Sequence, residues 1–312
     1  MKHLSNWCSE PFQNIYLENI DGARVAPCCA AKTAPLDEDY PLLSQPYLEE
    51  IRQQFIDNER PDACSHCWET EKNNNTSRRL TCGQDSLGTN VNINHLEINV
   101  NNRCNLACRI CTPRFSSAWH KEARMLHLEI PKPGINTLWD KIDLSSIKWI
   151  HFTGGEPFLS NDHVKILNAL DNKQNCSVYY NTNGTLRVSN DILNLWSKFK
   201  LITLAFSIDD IGEHFEYQRY GATWKDVVEN LFWFRENVPH NTIFCFNRTV
   251  SLYNKHRLHF LEEWLEENFT ANRYGDPAEL MNQTANGHAA LESTDFDEFN
   301  KQLDLIRYTP IK

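Results

Sequence analysis

A chain of 312 residues with 41% hydrophobic content can bury a large core, and a net charge of -10 excludes the broad basic footprint of a general nucleic-acid-binding surface. No apolar run approaches the roughly 18 residues of a membrane span, and Met1 to Trp7 lacks the apolar centre of a secretory leader, so a soluble cytoplasmic protein with no membrane partner is expected. Eleven cysteines are many for such a reducing setting, and where they cluster they read as metal ligands, because disulfides are rare there.

Residues 1–80 carry the first cysteine constellation. Cys8 precedes an apolar stretch, Phe12 to Ile20, then Asp21-Gly22, Val25, Pro27-Cys28-Cys29, a helix-like run from Tyr47 to Phe55, and Pro61-Asp62-Ala63-Cys64-Ser65-His66-Cys67-Trp68. CxxC is a tight chelating unit, and a hairpin presenting Cys28 would complete a four-thiolate site of Cys8, Cys28, Cys64 and Cys67. The same residues would build a zinc ribbon, and sequence does not separate the two metals. His66, between two ligands, is expected to point outward from a loop. A polar linker follows at 81–92, within the stretch Asn73 to Asn94, where Cys82 is either a spare thiol or a late ligand.

From residue 93 to 270 strand and helix patterns alternate. Strands are expected at His95 to Val100, Ile147 to Phe152, Ser177 to Asn181, Leu201 to Ile208 and Thr242 to Val250, all rich in β-branched or aromatic residues. Ser116, Ser160, Ser189 and Thr223 precede amphipathic segments as helix N-caps. Cys176 and Cys245 sit in strand patterns as buried thiols. Alternation of this kind means βαβ units and a parallel sheet. After the first strand, Cys104, Cys108 and Cys111 form CxxxCxxC, a cradle of three thiolates that leaves a fourth metal position open; a structural zinc site with a distant ligand is the bland alternative. The second strand runs into Thr153-Gly154-Gly155-Glu156-Pro157, whose glycines admit close backbone approach and whose carboxylate can accept from an ammonium group. In the C-terminal part, 271–312, Ala271 to Ala290 is polar and turn-like with no sixth strand expected, which would shorten the sheet. A last helix from Asp295 to Ile306, with Phe296, Phe299, Leu303 and Ile306 at helical spacing, is expected to cap it.

CxxxCxxC after one strand and GGEP after the next make the chain resemble the radical S-adenosylmethionine (SAM) superfamily over about residues 93–255. The resemblance implies an α/β partial (β/α) barrel of parallel strands, with its chemistry at their carboxyl ends. It implies a 4Fe-4S cluster on Cys104, Cys108 and Cys111 whose open iron binds SAM. One electron to the sulfonium then yields methionine and a 5'-deoxyadenosyl radical that abstracts a substrate hydrogen. No catalytic acid or base is required, since the cofactors carry the chemistry. SAM contacts are implied at Gly154, Gly155, Glu156 and Pro157, at Asn181 and Asn183, and at Ser207 and Asp209. Arg219 would pair with the methionine carboxylate, while Asn247 and Val250 would flank the adenine; turn or core roles for these residues stay open.

Over residues 8–70 the chain resembles the SPASM or twitch module, which implies a small N-terminal cysteine-rich domain and a second, auxiliary 4Fe-4S cluster. Two departures stand out: the module usually follows the core, and Gly22 is separated from Cys28 by five residues where the family pattern has four. The ligand is therefore Cys28 or Cys29, with Cys28 favoured. A reducing partner such as flavodoxin or ferredoxin and a peptide or small-molecule substrate are implied. A nucleotide-modifying enzyme and a non-catalytic iron-sulfur or zinc protein are the alternatives.

Overall fold

A computed structural model describes residues 6–73, 75–82, 88–99, 101–132, 134, 137–269, 279–284 and 296–308, with side chains left aside at 279–284, 296 and 308. Val100, Asp295 and the remainder of 271–290 lie outside the described residues.

Among the described residues nine strands form one sheet: β1 (Asn14–Asn19), β2 (Ala23–Ala26), β3 (Ala34–Pro35), β4 (His95–Asn99), β5 (Trp149–Thr153), β6 (Ser177–Thr182), β7 (Leu201–Ser207), β8 (Thr242–Val250) and β9 (Glu279–Thr284). Their order is β3-β2-β1-β4-β5-β6-β7-β8-β9. Only the β2 and β3 pairings are antiparallel; from β1 to β9 through β4 every neighbour is parallel. The chain is thus a mixed α/β fold with a mostly parallel sheet. Its N-terminal hairpin continues the same sheet, with Asn14 opposite His95 and Leu17 opposite Ile98.

A parallel strand covered on both faces is largely apolar, and β7 is, with Ile202 to Phe206 all buried and Thr203 the one polar residue among them. Strand β6 alternates instead. Val178, Tyr180 and Thr182 are buried under the outer helices, while Ser177, Tyr179 and Asn181 are half-buried on the inner face. The inside of the sheet is therefore a chamber, and its polar residues stand near the carboxyl ends of the strands. On the outer side Phe152 stacks on Tyr180 at 4.9 Å, and Phe158, Trp196 and Phe234 extend the cluster.

Helix starts follow capping chemistry. Ser116, Ser189 and Thr223 each accept a backbone N–H at their N-caps. The cap of Asp162–Ala169 is Asn161, one residue past Ser160, whose Oγ accepts from Asp162 N at 3.3 Å.

The expectation of no strand between Ala271 and Ala290 is corrected by β9. Its sequence, Glu-Leu-Met-Asn-Gln-Thr, has little β-branched character, yet it pairs in parallel with β8 from Cys245 opposite Glu279 to Val250 opposite Thr284. An available edge supplies the ladder that propensity does not.

Candidate functional site: a three-thiol cavity at the strand ends

The loop after β4 carries Cys104, Cys108 and Cys111 into a cavity of about 260 Å³, lined also by Gly154, Gly155, Asn181, Asn183, Ser207, Arg219, Asn247 and Thr249. Sequence-distant residues from β5, β6, β7 and β8 meet the thiols there, because each sits at the carboxyl end of its strand.

The glycine turn is docked onto the cysteine loop by backbone alone. Gly155 N–H donates to Asn101 O at 2.8 Å, and Glu156 N–H donates to Arg103 O at 2.7 Å. A Cβ on Gly155 would lie 2.1 Å from the Arg103 carbonyl oxygen, so only glycine fits. Gly154 has φ 109°, which disfavours side chains. Glu156 turns away from the cavity. It is buried and accepts from Asn183 N (2.7 Å), Thr182 Oγ1 (2.9 Å) and Phe158 N (3.2 Å), clamping the ends of β5 and β6 together. Burial pushes its carboxyl up to about 7, against the pull of those donors. Pro157 opens the short turn that follows.

Asn183 holds the cysteine loop: its Nδ2 donates to Asn105 Oδ1 at 3.0 Å and lies 3.8 Å from Cys104 Sγ. Asp209 does not line the cavity. It is 1% exposed, its Oδ2 accepts from Arg219 Nε at 2.7 Å, and its Oδ1 accepts from Thr249 N at 2.8 Å. Burial works to lower the Arg219 guanidinium, but Asp209 and the neighbouring thiols outweigh it and hold the cation above its ordinary range. Burial raises all three thiols, Cys108 to about 11 and Cys111 to about 12. Asn247 reaches the cavity, whereas Val250, the last residue of β8, does not line it.

The donor set fits an open-site cluster: three thiols line one cavity together with the Arg219 cation, the amides of Asn181, Asn183 and Asn247 and the hydroxyls of Ser207 and Thr249. Thiols this buried are poor anions without a metal, and a bound metal supplies the compensating charge.

A second thiol cavity lies in the N-terminal region, lined by Cys8, Cys28, Cys64, Cys67, Glu10, Arg78 and Arg79. Burial raises Cys8 and Cys28 and takes Cys64 to about 12. Four thiols lining one cavity are the donor set of a closed centre of iron-sulfur or zinc type, although no three of these sulfurs lie within 4.8 Å of one another. Cys28 lines it; Cys29 is exposed and turned toward Glu97 and His151, within 4.8 Å of their ligand atoms. The hairpin turn that delivers Cys28 has Asp21 and Gly22 at φ 58° and 100°. His66 is exposed on the helix Ser65–Lys72, Cys82 is exposed, and Cys176 and Cys245 are buried.

Between the two cavities runs a chain of polar contacts that the motifs did not announce. Arg78 pairs with Glu10 and with Glu97, each at 2.8 Å, and Glu97 also accepts from Cys29 N at 2.6 Å. Glu97 Oε1 lies 3.2 Å from His151 Nδ1, His151 Nε2 lies 3.1 Å from Asn181 Nδ2, and Asn247 Nδ2 donates to Asn181 Oδ1 at 3.0 Å. A neutral His151 protonated on Nδ1 satisfies both of its contacts. Burial pushes Glu97 up, but His151, Arg78 and the Cys29 N–H together bring it down to about 2. The signal was present: Glu97 and His151 are polar residues at the centres of their strands, each flanked by apolar neighbours, and stand opposite each other in register.

The fold and site together define a parallel, barrel-like α/β protein with a cofactor cradle of three thiols at its strand ends. The chain belongs to the radical SAM superfamily, whose family model matches residues 98–254. Members of that superfamily are enzymes, and the family implies a 4Fe-4S cluster and SAM. The chain is 28% identical over 225 residues to the uncharacterized protein MJ0907 of Methanocaldococcus jannaschii, covering 70% of this chain and 72% of that one. Among solved structures it is similar to native anSMEcpe with bound AdoMet, at 18% identity and a TM-score of 0.43, over 69% of this chain and 60% of that one. It is also similar to Streptococcus suis SuiB bound to S-adenosylmethionine, at 14% identity and a TM-score of 0.42, over 94% of this chain and 68% of that one. The chain thus spans about 60% of the length of anSMEcpe. Among the described residues no helix is long and apolar enough to cross a membrane.

Proposed function

We propose that the chain reductively cleaves SAM and abstracts a hydrogen atom from a peptide or small-molecule substrate, with electrons from a flavodoxin- or ferredoxin-like partner. The observation that carries this reading is the single cavity uniting Cys104, Cys108 and Cys111 with Gly154, Gly155, Asn181, Ser207 and Arg219. Bound there, the cluster and SAM supply a 5'-deoxyadenosyl radical.

The chain's own residues do the positioning. The three thiols hold the iron, and the Gly154-Gly155 backbone gives the amino acid end of SAM room to approach the cysteine loop. Arg219, aimed by Asp209, offers a fixed cation to a carboxylate. Asn181, Ser207, Asn247 and Thr249 offer hydrogen bonds to the nucleoside. Glu156 acts behind the cavity wall as a clamp.

The N-terminal module, residues 1–80, holds an auxiliary 4Fe-4S cluster on Cys8, Cys28, Cys64 and Cys67 in this reading, with zinc as the alternative. Charges at the strand ends are paired, Glu18 with Arg114, Asp209 with Arg219 and Asp210 with Arg257, which argues against the basic lining a nucleic-acid substrate would need.

The test is iron, zinc and sulfide per chain after anaerobic reconstitution, with 5'-deoxyadenosine measured after adding SAM and dithionite. About eight irons, falling to about four when alanine replaces either cysteine set, support the whole reading. Four irons with one zinc leave the core reading and remove the auxiliary cluster. Iron without 5'-deoxyadenosine would support a non-catalytic protein.

A further inference from the structure

Four strands carry an unbroken line of hydrogen bonds up to the wall of the three-thiol cavity. Glu97, at the centre of β4, is fully buried and accepts from Arg78 Nη2 at 2.8 Å and from Cys29 N at 2.6 Å. Its Oε1 also lies 3.2 Å from Nδ1 of His151, its partner in register on β5. His151 is buried, with the Tyr179 ring edge-on at 4.9 Å and the Trp149 ring tilted at 5.3 Å, and these neighbours hold its plane. The other ring nitrogen, Nε2, lies 3.1 Å from Asn181 Nδ2. Asn181 lines the cavity, and so does Asn247, whose Nδ2 donates to Asn181 Oδ1 at 3.0 Å and whose Oδ1 accepts from the Cys245 thiol at 3.7 Å.

The line has a direction. A carboxylate only accepts, so Glu97 accepts from the Nδ1–H of a neutral His151 and leaves Nε2 as an acceptor. That acceptor requires Asn181 to turn its amide nitrogen toward the ring and its oxygen toward Asn247, and Asn247 must then turn its own nitrogen toward Asn181. Reversing either amide would set two acceptors face to face and leave buried groups unpaired. Oriented this way, each amide keeps one N–H and one lone pair for a ligand, and both stand with Ser207 and Thr249 among the lining residues.

We propose that His151 is a positioning residue for the nucleoside end of SAM: with its tautomer fixed by Glu97, its Nε2 orients the Asn181 amide and, through it, Asn247, so that the cavity wall meets the nucleoside in one arrangement of donors and acceptors. This rests on the reading that SAM binds in the three-thiol cavity. His151 is not itself among the residues lining that cavity and acts through Asn181, which is. Amides already held in the binding orientation spare the ligand the cost of ordering them.

The experiment is equilibrium dialysis of labelled SAM against the full chain after anaerobic reconstitution, with iron counted per chain. His151→Phe, which cannot accept from Asn181, is expected to weaken SAM binding about tenfold. His151→Gln, whose amide can donate to Glu97 and accept from Asn181, is expected to stay within about threefold of wild type. Asn181→Ala is expected to weaken binding at least about tenfold, and adding His151→Phe to it should change the affinity by less than about twofold, because a residue that acts through Asn181 then has nothing to act on. A general structural role makes the two losses multiply instead, to about a hundredfold. Multiplied losses, an unchanged affinity in His151→Phe, or a His151→Gln as weak as His151→Phe overturns the inference. If His151→Phe loses its iron, the smaller His151→Leu carries the same comparison, and loss of iron in both makes His151 a structural residue and overturns the inference. A wild type with full iron that does not retain SAM overturns the cavity reading itself, whatever the variants do.

Discussion

Replacing Gly155 with alanine tests how the cofactor cavity is closed. The added Cβ would sit 2.1 Å from Arg103 O, 2.6 Å from Arg103 C and 2.8 Å from Asn102 C, all backbone atoms that no rotamer change can move. Reaching even the 3.0 Å floor of real Cβ contacts requires the Arg103 carbonyl to retreat by 3.0 - 2.1, or about 0.9 Å. That retreat opens the two backbone bonds docking the turn on the loop, Gly155 N to Asn101 O and Glu156 N to Arg103 O. Two bonds lost at about 1–3 kcal/mol each give a destabilisation of about 2–6 kcal/mol, a large part of the ordinary 5–15 kcal/mol. Cys104 follows Arg103 directly, so the thiol cradle moves with it. Urea denaturation followed by tryptophan fluorescence measures the first effect, and iron retained per chain after desalting measures the second. Gly212→Ala is the control: nothing lies within 4 Å of its Cβ, and its φ of +57° costs only about 1–2 kcal/mol. If Gly155→Ala is within about 1 kcal/mol of wild type and keeps its iron, the close approach is not what shapes the cavity.

Two buried groups give opposing pH dependences. Glu156, raised by burial to about 7 from 4.5, makes stability fall as pH rises through that window, because the unfolded chain releases its proton first. His163, lowered by burial from 6.5 to about 4, makes stability fall as pH drops through its own window, because the unfolded chain takes up a proton first. Each is worth about 3 kcal/mol across its range. Wild type should therefore be nearly flat between pH 4.5 and 6.5 in chemical denaturation, Glu156→Gln should gain stability with rising pH, and His163→Phe should lose it. Arg78→Met leaves the Glu10 and Glu97 carboxylates buried without their cation and is expected to cost about 3–5 kcal/mol. In the Arg78→Met background, Glu97→Gln should recover part of that loss in the same assay. Chelation with a strong thiol-competing agent should lower the melting temperature of the wild type and leave a variant lacking all seven candidate ligand cysteines unchanged, as calorimetry would read it.

Much of the frame was readable because its signals are local. Ile150 and Phe152, Val178 and Tyr180, and Leu201 to Phe206 announce strands through β-branched and aromatic content, and the cysteine and glycine motifs are compact enough to be seen in a short window. What escaped depends on register. Strand β9 exists because β8 offers it an edge, and no residue of Glu279–Thr284 says so by itself. Glu156 looked like a ligand-facing carboxylate, yet the backbone N–H of Asn183, 27 residues later, pulls it behind the wall. The path from Arg78 to Asn247 is assembled from four strands and a helix, so no stretch of sequence contains it. The meeting of Arg307 with Ala107 is separated by 200 residues and is equally invisible in a linear reading.

The parallel pairing of β1 with β4 also sets an order of assembly. Strand β1 is made early, but its neighbour spans His95–Asn99, so the hairpin that delivers Cys28 has no sheet to join until about seventy residues more have been synthesised. During that interval Cys8, Cys28, Cys64 and Cys67 sit on a nascent segment whose framework is incomplete. The cavity those thiols line has its sheet framework completed by β4, the strand that also leads directly into Cys104. The two thiol cavities therefore share one structural trigger, and a lesion in β4 should be felt at both.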